Sequence, residues 1–165
     1  MNPEGRRVFT FAAMLKPGDP AADLELPDEQ GRPVRLSDRW KERVLVLFFY
    51  PKDNTPGCTA EACGFRDAYD ELSANGAEII GISGDDAASH QGFIRRFQLP
   101  FTLLSDRDGR ARKAFDVGRT LGLWPGRVTY VIDREGTVRA ALSHAFQPTR
   151  HVQDALEAVI AQRSS

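Results

Sequence analysis

Cys58 and Cys63 are the only cysteines in the chain, five residues apart. A thiolate is a nucleophile, a metal ligand and a redox centre, so this pair is where chemistry is expected first. Small secreted scaffolds carry more cysteines than two, and in a reducing compartment two neighbouring thiols are more often catalytic, redox-active or metal-binding than structural. Two cysteines on one helix could equally be inert core residues. A zinc site would need four ligands, for instance both cysteines with two of His90, His144 and His151, but these histidines follow no ligand spacing.

The residues before Cys58 fix its position. Val44 to Tyr50 is a continuous apolar run of strand length, as expected of a strand buried on both faces. Pro51-Lys52-Asp53-Asn54 is turn-rich, Thr55 suits an N-cap, and Pro56 suits the first helical position. Cys58 is therefore expected in the first turn of a helix, where unpaired N–H groups and the helix dipole favour a thiolate. It shares helical register with Ala62, Phe65, Tyr69 and Leu72 and so should face the sheet. Cys63 lies about 140° further round, at a Cα separation of roughly 8.7 Å on an ideal helix. A disulfide needs less than about 7 Å, so a Cys58–Cys63 bond would require the first turns of this helix to unwind.

Further elements follow by periodicity. Residues 24–26 and 34–36 alternate around Asp28-Glu29-Gln30-Gly31, predicting an N-terminal β-hairpin. Residues 77–82, 101–104 and 128–132 read as strands, and Asp133-Arg134-Glu135-Gly136 joins the last to a strand over 138–142. Helices are expected over 87–97, behind Asp85 and Asp86, and at the C-terminus, where Val152, Ala155, Leu156, Val159 and Ile160 form an apolar stripe. His90, beside Ser89 at the helix start, is expected at the surface or in a cap. Strands alternating with helices predict an α/β fold with a mixed central sheet, compatible with a thioredoxin-like fold.

The chain has 165 residues and a formal net charge of -1, consistent with one domain over residues 1–165. Its arginines are scattered, which argues against nucleic acid as a partner, and no apolar run approaches the ~18 residues of a membrane span. Residues 1–13 are expected to be a non-exported N-terminal extension. With no clear cleavage pattern, a cytoplasmic location is expected, although a mature plastid protein would read the same way.

Pro51-x-x-x-Thr55-x-x-Cys58 resembles the active-site motif of peroxiredoxins. The longer run from Phe49 to Cys63 resembles the bacterioferritin comigratory protein branch, also called Q-type. Leu99 to Asp106 and Pro125 to Asp133 are similar to further family segments, so that the likeness covers roughly residues 14 to 162. The resemblance implies a thioredoxin-like fold and an atypical two-cysteine peroxidase acting on hydrogen peroxide and organic hydroperoxides. By the same resemblance, Cys58 would attack the peroxide and become a sulfenic acid, and Cys63 would resolve it as an intramolecular disulfide. Thr55 would hydrogen-bond the peroxide, Arg127 would stabilise the thiolate and the peroxide oxygens, Pro51 would shield the pocket, and Glu61 would support the network. Thioredoxin or a similar dithiol would be the reductant, the protein would be a monomer, and no cofactor or metal would be needed.

The chemistry favours the same set. A free thiol is only ~3% ionised at pH 7, and full ionisation gains at most roughly thirtyfold. Lower basicity offsets part of that gain. The remaining acceleration must come from groups that hold the peroxide and stabilise its leaving oxygen, and a hydroxyl, a backbone N–H and a guanidinium are suited to this. Two rivals stay open on sequence. A thiol–disulfide oxidoreductase typically uses the shorter Cys-x-x-Cys spacing. A redox-switched binding protein would use the same unwinding to alter a partner surface.

Overall fold

The computed structural model describes residues 14–120, 124–125, 127–143 and 148–163. The expected N-terminal extension and His144 lie outside them.

The central sheet is built on β3 (Val44–Phe49), whose six residues are almost wholly buried. It pairs in parallel with β4 (Ala77–Ser83), which pairs in parallel with β5 (Thr102–Ser105). On its other side β3 pairs antiparallel with β8 (Val128–Ile132), and β8 with β9 (Val138–Leu142). The spatial order is β5-β4-β3-β8-β9, the mixed sheet expected from the sequence. The expected hairpin is present as β1 (Glu25–Pro27) and β2 (Pro33–Arg35). Four elements go beyond the sequence expectation: the short helices α1 (Leu36–Trp40) and α5 (Arg110–Ala114), and the two-residue strands β6 (Arg119–Thr120) and β7 (Trp124–Pro125), which pair as a ribbon. Each is at most five residues long, too short for periodicity to register.

Alternation along β3 divides the core in two. Leu45, Leu47 and Phe49 face the hairpin and α1, with Leu26, Val34, Trp40 and Phe115. Val46, Phe48 and Tyr50 face the other way, onto α2 (Pro56–Asp67), α4 (Ala87–Phe97) and α6 (Pro148–Arg163). Phe48 needs room on this side: a Cβ on Gly81, its partner on β4, would sit 2.7 Å from the Phe48 ring. The helix expected to run from Pro56 through Leu72 is divided at Ala68, whose ψ of 1° ends α2 and precedes α3 (Tyr69–Ala74). Among the described residues no helix is long and apolar enough to cross a membrane.

Candidate active site

The register of the sheet explains how residues far apart in sequence meet. Phe49, at the end of β3, lies opposite Val128, at the start of β8. The loop entering α2 and the residue before β8 therefore share one end of the sheet. This is the carboxyl end of β3, where open α/β sheets commonly form sites.

Thr55 is the N-cap of α2 in an extended conformation, with Pro56 at the first helical position, as expected. Its side chain does not cap the helix: the hydroxyl donates to the Lys52 carbonyl at 2.9 Å. The turn is completed by Asn54 at φ 64°, a left-handed conformation that asparagine tolerates better than most residues. Pro51 is half-buried beside it.

Cys58 sits in the first turn, 1% exposed and packed in the core cluster with Phe48, Tyr50 and Phe65. Its sulfur accepts from Arg127 Nη2 at 3.3 Å. The other end of the guanidinium donates from Nη1 to Glu61 Oε1 at 3.0 Å. Gly57 leaves space for this fork, since a Cβ there would lie 3.1 Å from Nη2. Arg127 is itself 8% exposed. Burial disfavours its charge, but Glu61 and Cys58 beside it raise its pKa above the ordinary value. Glu61 follows Cys58 by three residues on the same helix face and is fully buried. Burial outweighs the guanidinium and pushes its carboxyl up to about 8. Glu61 Oε2 makes no hydrogen bond among the described residues and faces His151 Nδ1 at 3.4 Å.

Cys63 lies on the same continuous helix, half-buried, and both cysteines are free thiols. The structure thus brings Cys58, Arg127 and Glu61 together, sets Thr55 one turn before Cys58, and leaves Cys63 one and a half turns beyond.

A second buried network anchors the loop before Cys58. Asp53 Oδ1 accepts from the Tyr50 hydroxyl at 2.6 Å, and Oδ2 accepts from Ser89 Oγ at 2.8 Å and meets His90 Nδ1 at 2.7 Å. His90 Nε2 donates to the Leu104 carbonyl at 3.1 Å. The Asp53 N–H and the Ser83 hydroxyl both donate to Asp85 Oδ2. Burial, then the Asp53 charge, raise the Tyr50 hydroxyl well above its ordinary range. The surface or capping role expected for His90 is therefore wrong. It is fully buried, and Asp86 alone caps α4, accepting from the Ser89 N–H at 2.9 Å. His90 precedes Phe93, Ile94 and Phe97 by three, four and seven residues, a helical spacing that marks the inward face. His151 carries the same signal, four residues before Ala155 and eight before Val159. Among the described residues, which do not include His144, the group with metal-ligand proximity is Asp53, Asp85 and His90, with no cysteine.

Residues 17–141 match the model of the AhpC/TSA family. The chain is 44% identical over 153 residues to chloroplastic peroxiredoxin Q of Sedum lineare, covering 92% of this chain and 81% of that one. Its fold is similar to the crystal structure of peroxidoxin BcpB from Mycobacterium tuberculosis, with a TM-score of 0.83, 40% identity, and coverage of 89% and 97%. It is also similar to the bacterioferritin comigratory protein of Xanthomonas campestris, studied for alkyl peroxide reduction, with a TM-score of 0.77, 32% identity, and coverage of 91% and 98%. The cytoplasmic location expected from the sequence is contradicted by the Sedum lineare relative, which is chloroplastic. With a matched family model over most of its length and peroxiredoxin Q relatives in sequence and structure, the chain belongs to the AhpC/TSA family, as a thiol-dependent peroxidase of the peroxiredoxin Q group.

Proposed function

We propose that Cys58 is the peroxidatic nucleophile and Cys63 the resolving thiol of an atypical two-cysteine cycle carried by a single domain. The observation that carries this reading is the buried Cys58 sulfur in the first turn of α2, 3.3 Å from Arg127. The sulfur attacks one peroxide oxygen, the O–O bond breaks, and the departing oxygen takes a proton and leaves as water or an alcohol. Arg127 and the first-turn N–H groups are the donors for the charge that develops on the oxygens, and the Thr55 hydroxyl is a third once it turns from Lys52. Pro51 limits water access from the loop side.

Cys58 is then a sulfenic acid. The Cys63 sulfur displaces its hydroxyl as water and forms the Cys58–Cys63 bond, which stops further oxidation to the sulfinic acid. The helix over both residues must first unwind, since their spacing along α2 is too long for a disulfide. A dithiol reductant of the thioredoxin type supplies the two electrons and two protons that close the cycle, and a monomer suffices because both cysteines lie on one helix.

The test is peroxide consumption with a thioredoxin system for the unsubstituted protein, Cys58→Ser and Cys63→Ser. Loss of all turnover in the first variant, with a single turnover surviving in the second, is expected. Turnover persisting in Cys58→Ser would sink the assignment.

A further inference from the structure

Helix α6 touches α2 at two places that bracket Cys63. On one side His151, fully buried, presents Nδ1 3.4 Å from Glu61 Oε2 and 2.7 Å from Thr129 Oγ1. On the other, Val152 packs on Gly64 so closely that a Cβ at Gly64 would lie 2.9 Å from Val152 Cγ2. Glu61 and Gly64 belong to the segment that must leave its helical position before Cys58 can reach Cys63. The other oxygen of Glu61 accepts from Arg127, and Arg127 donates to the Cys58 sulfur. Contacts therefore run without a gap from α6 to the reacting atom.

A buried carboxyl oxygen without a hydrogen bond is rare and calls for an explanation. Glu61 Oε2 is such an atom, and His151 Nδ1 faces it. A proton on Glu61 turns the contact into a hydrogen bond to the Nδ1 lone pair in place of the Thr129 hydroxyl, and a proton on Nδ1 is shared between Thr129 Oγ1 and Glu61 Oε2; either arrangement fixes the carboxyl plane. The upward displacement of the Glu61 carboxyl agrees with a proton held there. A fixed carboxyl plane in turn fixes the guanidinium, because the Arg127 fork is planar and addresses Glu61 and Cys58 from opposite ends.

We infer that His151 is a positioning residue for the peroxidase: it seats Glu61 so that Arg127 is aimed at the Cys58 sulfur, and together with Val152 it forms a latch on α2 that releases when the helix unwinds. This rests on the Cys58–Cys63 cycle set out above. The two roles pull in opposite directions. A tight latch speeds the peroxide step by holding the site in order, and it slows the disulfide step by opposing the unwinding.

The experiment is stopped-flow oxidation of the full chain with hydrogen peroxide, which separates the bimolecular peroxide step from the first-order disulfide step. His151→Leu is expected to slow the peroxide step on the order of 10- to 100-fold, the scale of a misplaced reacting group, and to raise the disulfide rate several-fold. His151→Asn, whose amide nitrogen can take the place of Nδ1, should restore most of the peroxide step, and His151→Gln should not. Val152→Ala should raise the disulfide rate alone. If the leucine variant does not fold, the asparagine and glutamine pair decides, and equal peroxide rates in these two overturn the inference. An unchanged disulfide rate in Val152→Ala overturns the latch. Normal kinetics in the unsubstituted protein with unaltered rates in the His151 variants overturn this inference alone. Absence of a sulfenic acid at Cys58 in the unsubstituted protein overturns the underlying cycle, and this inference with it.

Discussion

Arg127 Nη2 lies 3.3 Å from the Cys58 sulfur across a sequence separation of 69 residues. The contact exists because β3 and β8 are antiparallel neighbours, with Phe49 opposite Val128. One guanidinium thus addresses the Cys58 sulfur with one nitrogen and Glu61 with another. Lysine keeps the charge but has no fork and cannot address both groups in a fixed plane. Arg127→Lys is expected to slow the peroxide step by about 10²- to 10³-fold, the range for loss of one preorganised donor. Stopped-flow rate constants for sulfenic acid formation measure this directly. A loss smaller than about threefold would place the guanidinium outside the reaction.

Gly57 offers a gentler probe of the same contact. A methyl at this position would meet Arg127 Nη2 at 3.1 Å, close enough that the guanidinium must shift by a few tenths of an ångström. The backbone of α2 has no reason to move, since the first turn accepts alanine readily. Gly57→Ala is therefore expected to keep or slightly raise the unfolding midpoint in urea while lowering the peroxide rate constant. A variant that loses stability and rate together would show that the helix start, and not Arg127, had been disturbed.

The succession of strands and helices along the chain and the placement of Cys58 are legible for a simple reason. Val44 to Tyr50 has a strand-like apolar run, and Thr55-Pro56 marks a helix start on its own. Such signals are local. The partners of Glu61 and Asp53 come from other elements, and no local signal states which ones. His90 shows the difference. Its spacing to Phe93 and Phe97 puts it on the inward face of α4, but that Asp53 meets it there depends on the loop after β3 being tied to Asp85 and Ser89. Polar residues at the head of a helix invite a capping interpretation, and only Asp86 in this segment caps. Resemblance implies a supporting role for Glu61, while its burial and its neighbour His151 depend on the packing of α6 on α2.

The Asp53–His90 pair should be structurally costly to break. Both side chains are almost fully buried, and the aspartate also accepts from Tyr50 and Ser89. Removing His90 leaves the buried carboxyl group held by the Tyr50 and Ser89 hydroxyls alone, at a cost of up to about 3–5 kcal/mol. His90→Leu is expected to lower the unfolding free energy by that amount in urea titrations at pH 7. The double variant His90→Leu/Asp53→Leu should recover part of the loss, because no orphaned charge remains. Strictly additive losses in the two single variants would mean that the pair is not energetically coupled.

Glu61 makes the stability of the fold depend on pH with a predictable sign. Burial pushes its carboxyl up to about 8 from an ordinary value of 4.5, against the pull of Arg127. Between those values the folded protein holds a proton that the unfolded chain has released, so rising pH favours unfolding. The stabilising contribution is full below about pH 4.5 and is lost as pH climbs to about 8. Asp133 acts in a separate window: burial pushes it up, but the Thr137 N–H and Arg139 hold it below 3.8, so its contribution is lost only in acid. The urea midpoint is therefore expected to fall steadily from pH 5 to pH 8. Glu61→Gln, which cannot ionise, should flatten this slope and become relatively more stable towards pH 8. A midpoint that does not change over this range, or a glutamine variant with the same slope as the unsubstituted protein, would mean that Glu61 is ionised in the folded site. Arg127 would then be neutralised by the Glu61 carboxylate, and its charge would be less available to Cys58 than the geometry implies.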